Sequence, residues 1–176
     1  MQRLVCLAAM IAATLLAAPA AAAQLSGVNN ELLRDWIEMK RTLIALAEAM
    51  PEERFSYKPT PEQRDFGQQV LHVATANVIN LNFLRGKAAA PVIDRTATAK
   101  AAAIKAMADS FDYGEALLRE QTDQSMFETV QTNQFLGPSS RARVVYFLLG
   151  HSWDIYGQMV VYLRLNGRVP PASQRP

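Results

Sequence analysis

The chain is poor in sulfur chemistry, in histidine and in net charge. Its single cysteine is Cys6, in a leader-like segment at the start of 176 residues. The rest of the chain has none, which excludes disulfides and a cysteine nucleophile there. A lipid anchor would need a cysteine at the cleavage point, and none stands there. Long apolar runs are also missing. Leu4 to Ala18 is 15 residues long, short of the roughly 20 that a spanning helix requires. With Arg3 before it and Ala21-Ala22-Ala23 after it, this run has the form of a secretory signal peptide. Residues 1–23 are therefore expected to be a signal peptide and 24–176 the exported domain, periplasmic or secreted, with no stable membrane insertion after cleavage. That domain carries 17 basic and 16 acidic residues, a near-neutral balance that argues against a nucleic-acid partner.

What is present is helical periodicity. Between Ser139 and Gly167, Val144, Leu148, His151, Ile155, Gln158, Tyr162 and Leu165 follow at steps of four and three. That spacing puts all seven on one stripe of a helix. Ser139 or Ser140 can cap its start, and Gly167 with Pro170 and Pro171 ends it. A first helix is expected over about Asn30 to Ala49, with Leu32, Trp36, Met39, Leu43, Leu46 and Met50 as its stripe and Asn29 or Asn30 as its cap. Three prolines forbid a helix through most of Pro51 to Arg64, where Thr60-Pro61-Glu62-Gln63 reads as one capped turn. Asp65 caps a second helix from Phe66 to about Leu84, stopped by Gly86. A third, alanine-rich helix runs from Thr96 to about Gln121, where Gly114 marks a bend or a close contact. Thr122 to Pro138 reads as an ordered crossing segment, extended near Glu128 to Gln131. The fold class is all-α, a four-helix bundle long enough to bury a sizeable core.

His72 and His151 are the only histidines, and both fall on or beside core faces, on the second and fourth helices. Burying them requires hydrogen-bond or metal partners. Across a helix pair, two imidazoles can share a divalent first-row metal. Gln158 stands about 10 Å along the helix from His151, so it is expected to line a substrate pocket rather than join the same sphere. Tyr162 and Asn80 are expected to line that pocket too, Asn80 being unusually polar for a position so near a core; turning to solvent is the other outcome for it.

The segments HSWDIYGQMVVYLRLNG and GQQVLHVA, the Thr-Pro-Glu-Gln-Arg lead-in and the closing Val-Pro-Pro-Ala-Ser resemble secreted members of the DinB-like proteins. The resemblance spans nearly all of residues 24–176. It implies a four-helix bundle and a metal-dependent enzyme, of hydrolase or thiol-transferase type, with some relatives working on low-molecular-weight thiols. The family's metal site is three histidines, one on the second helix and a His-x-x-x-His pair on the last. By position these match His72 and His151, while the third falls on Ile155, which cannot ligate. The implied cofactor is a divalent transition metal (Zn, Ni or Fe) held by His72 and His151. Asp154 is the nearest substitute ligand, turned about 60° from His151 on the helix, and Asp35 is a more remote one. The implied partner is a small-molecule substrate or ligand, and a homodimer is left open. The alternative is a non-catalytic exported bundle that has lost the metal and keeps the pocket for binding or only for stability.

Overall fold

The computed structural model describes residues 27–174; the expected signal peptide lies outside them. Four long helices make the bundle: α1 (Val28–Ala49), α2 (Phe66–Leu81), α3 (Lys100–Arg119) and α5 (Arg141–Leu165). A single-turn helix, α4 (Asp123–Met126), leads into β1 (Thr129–Val130). β1 pairs antiparallel with β2 (Ser139–Ser140), with Thr129 opposite Ser140 and Val130 opposite Ser139. α1 and α2 each pack on both α3 and α5. The neighbours that matter for function are α2 and α5, which run antiparallel. Arg141, at the start of α5, donates to the Leu84 carbonyl just past α2, and Tyr162, near the end of α5, donates to the Arg64 carbonyl just before α2.

The periodic apolar residues explain the assembly. Trp36, Met39, Leu43, Leu46 and Met50 of the first stripe are buried, as are Val144, Leu148, Ile155 and Tyr162 of the last. Leu165 departs from its stripe. It is 58 % exposed, because the heptad-like register drifts on a straight 3.6-residue helix and Met159 and Leu163 take over the inner face. Gly114 is the close contact, not a bend. A Cβ there would overlap the Trp36 indole, which is pinned by its Nε1 donating to the Phe111 carbonyl at 2.8 Å.

The helix ends follow local chemistry, with two exceptions. Asp65 and Gln68 form a reciprocal capping box at α2, Ser140 caps α5 through the Arg143 N–H, and Gly167, at φ 67°, closes α5 with Arg168 donating to the Leu163 carbonyl. α1 begins two residues early, after Gly27 and without a side-chain cap. Asn29 is not its cap; that amide instead donates to the Leu118 and Gln121 carbonyls. α3 begins at Lys100 rather than Thr96, because Thr96 is held in a turn by Asp94, which accepts from both its N–H and its hydroxyl. The single helical turn in the Pro51–Arg64 connection lies at Glu52–Arg54, and Thr60 to Gln63 is a plain hydrogen-bonded turn.

Candidate functional site

His72 sits in the second turn of α2 and His151 near the middle of α5. The capping box fixes where α2 starts, and the start fixes which face His72 shows. The bundle brings the two rings together, with Nε2 to Nε2 3.0 Å and ring centroids 4.9 Å apart. At that distance one ring carries its proton on Nε2 and the other accepts it. Phe147 stacks against His151 one turn back, with centroids 6.4 Å apart. Burial above all, then the Arg64 guanidinium, the second imidazole and Arg95, lower His72 to about 4, against the opposing pull of Asp154. His151 is lowered too, chiefly by burial, with Asp154 opposing and Arg64 adding to it. Both rings are therefore neutral near pH 7, and both Nε2 atoms present lone pairs to a shared ion once the two protons sit on Nδ1.

The geometry bears on a metal in two ways. Imidazole–zinc bonds of about 2.0–2.1 Å can span two nitrogens 3.0 Å apart, and neutral imidazole is the donor such an ion takes. The pair thus fits a divalent transition ion as two of its ligands. Ile155, where the resemblance sets the third imidazole, is 2 % exposed and carries no ligating atom. Asp154 points outward and accepts from Gln158. Among the described residues no group of three or more His, Cys, Asp or Glu side chains is placed to hold an ion, and the buried Nδ1 of His151 has no hydrogen-bond partner.

A hollow of about 290 Å³ opens beside His72, lined by Arg64, Gln68, Leu71, His72, Thr75 and Arg95. The residues expected to line a pocket stand elsewhere. Gln158 is half-buried and bridges two side chains, accepting from Gln69 Nε2 at 2.8 Å and donating to Asp154 at 3.2 Å. Tyr162 is buried, its hydroxyl bound to the Arg64 carbonyl at 2.7 Å and its ring against Tyr57 and Phe66. Asn80 is buried at the far end of α2, donating to the Ala76 carbonyl and accepting from Asn133. It neither turns to solvent nor faces the hollow. Helix rise sets both Tyr162 and Asn80 away from the imidazole pair, and Tyr162 reaches only the backbone of Arg64. Tyr162 lies eleven residues from His151, about 16 Å, and Asn80 eight from His72, about 12 Å, in opposite directions along the bundle.

Sequence reasoning missed Arg64 and Arg95. Both sit in turns, where no periodicity predicts direction, and the only sequence signal was the Arg that ends the Thr-Pro-Glu-Gln-Arg lead-in.

Known proteins agree with this arrangement at the level of fold. A DinB-like protein of Bacillus cereus superposes with a TM-score of 0.66 at 22 % identity, over 80 % of this chain and 93 % of that one. A DinB-like protein of Bacillus subtilis gives 0.64 at 15 % identity, over 84 % of this chain and all of the other. A comparison with curated proteins finds no match. The family model of the DinB superfamily matches residues 36–159, a span that includes both histidines and most of the bundle. The chain belongs to the DinB superfamily.

Proposed function

We propose that this is an exported DinB-superfamily protein that binds a small molecule in the hollow beside His72, with a divalent transition metal held by His72 and His151. The observation that carries the reading is the convergence of two neutral imidazole nitrogens to 3.0 Å from different helices. Metal association is frequent in the superfamily. A bound ion would supply Lewis acidity or activate a water or thiol, consistent with hydrolase or thiol-transferase chemistry. The chain's own contributions are positional. Phe147 stacks on the His151 ring, while His72 faces the hollow. Export rests on the signal-peptide pattern of residues 1–23.

A second reading keeps the pocket and drops the metal: the imidazoles simply hydrogen-bond to each other, and the bundle binds its ligand without catalysis. Ile155 in the third ligand's place favours it, because catalytic zinc sites generally keep three protein ligands. Elemental analysis of untagged protein, after loading with zinc, nickel or iron, separates the two. Near-stoichiometric metal that disappears in His72→Ala supports the first reading. No retained metal under any loading leaves the second.

A further inference from the structure

Arg64 and Arg95 reach the same hollow from different segments, one from the turn before α2 and the other from the turn before α3. No acidic residue lines it. Neither guanidinium has an ion-pair partner among the described residues. Each has an aspartate as its immediate neighbour in sequence, and in both cases that carboxylate is already committed. Asp65 is taken up by the α2 capping box, accepting from the Gln68 N–H at 2.7 Å. Asp94 accepts from the Thr96 N–H at 2.9 Å and from its hydroxyl at 2.7 Å. Arg95 also borders a smaller hollow of about 120 Å³ in which Asp65 lies, without pairing with it.

Two unpaired guanidiniums facing one concave space, with neutral hydrogen-bonding groups between them, suit an oxyanion. Planar N–H forks match carboxylate and phosphate oxygens. The Gln68 Nε2 adds a neutral donor, Thr75 spends its hydroxyl proton on the Leu71 carbonyl, and Leu71 gives the hollow an apolar wall. The position of Arg64 is built in from behind, because the buried Tyr162 hydroxyl holds its carbonyl. We propose that this hollow is an oxyanion subsite that takes the carboxylate or phosphate group of a small-molecule ligand between Arg64 and Arg95, beside His72. The inference rests on the small-molecule pocket of the preceding reading and is independent of its metal. The two halves also assist each other. A dication on neutral imidazoles would feel two arginines against the single Asp154 carboxylate, and an oxyanion arriving in the hollow would offset that repulsion.

The chain's two histidines make the test direct. The imidazole Cε1–H proton resonances of the untagged protein are followed in EDTA, at fixed neutral pH and fixed ionic strength, during titration with inorganic phosphate and separately with succinate. The expected result is a saturable shift of the His72 resonance with at least one probe. The stronger probe identifies phosphate or carboxylate as the group recognised. Arg64→Gln and Arg95→Gln should each weaken binding by about tenfold or more, while Arg164→Gln on the exposed face of α5 should leave it unchanged. The proposal is overturned by the absence of a saturable shift with either probe, or by equal affinity in the Arg64→Gln/Arg95→Gln double variant. Because EDTA removes metal throughout, failure of metal binding in the elemental analysis leaves this result readable, and the reverse also holds.

Discussion

At the scale of single residues, Ile155 is the position on which the proposed metal reading turns. It stands one helical turn after His151 and is packed inside the bundle. Ile155→His should restore a third imidazole and raise zinc affinity at least tenfold, about 1.4 kcal/mol, in a calorimetric titration. Unchanged affinity would mean that position 155 does not address the pair. Without metal the variant should be less stable than the parent, since an unpartnered polar ring then replaces an apolar side chain. His72 and His151 were legible in the sequence because helical phase alone turns both inward. Tyr162 and Asn80 were legible as inward-facing but not as distant, since a stripe gives azimuth and leaves height along the partner helix open. Asn77 shows a further limit. It is fully buried and donates to Ser110 on α3, whose hydroxyl donates in turn to the Met107 carbonyl. Its place is a polar tie across two helices, which requires knowing the partner.

At the scale of elements, the helix junctions set where functional side chains arrive. Asp65→Ala removes the reciprocal cap of α2 and should cost about 1 kcal/mol in urea denaturation. Gln68, a lining residue, keeps the bond its side-chain oxygen accepts from the backbone N–H of position 65, so ligand affinity should change little. Gly114→Ala should be worse for stability, roughly 1–3 kcal/mol, because the Trp36 ring that meets the new methyl is buried and hydrogen-bonded and cannot swing away. The α3 boundary was misread by four residues for a reason of the same kind. Thr96 has the chemistry of a cap but spends it on Asp94, and Lys100, the first helical residue, instead ties down the end of α1 by donating to the Glu48 and Met50 carbonyls. Competition between turn and helix for one threonine is not visible in periodicity. The crossing segment was legible in kind, and its extended stretch is the Thr129–Val130 strand. Its pairing with Ser139–Ser140 depended on a loop closure that the local sequence does not specify.

At the scale of the whole molecule, the imidazole pair couples protonation to the stability of the bundle. His72 titrates near 4 in the folded chain and near the ordinary value of about 6.5 when unfolded. The unfolded chain therefore binds more protons between those values, and stability falls as pH drops through that window. Above it both states are neutral and the effect vanishes; below it both are protonated and the loss is complete. His151, lowered in the same direction, adds to the loss. The melting temperature should accordingly decline from pH 7 to 5, and the decline should be smaller in a His72→Asn/His151→Asn variant; differential scanning calorimetry across that range measures both. The bundle itself was the most legible level, because four amphipathic stripes leave few ways to bury them.

The bond from Tyr162 to the Arg64 carbonyl reaches across 98 positions of sequence, and it gives the tail of the last helix a say in what the protein recognises. A phenol that touches no ligand sets the height of a guanidinium that is placed to do so. Drift at Tyr162, or at Tyr57 whose ring stands edge-on to it, would then retune ligand choice while every lining side chain stayed the same. Two relatives with identical pocket walls could differ in taste for that reason alone.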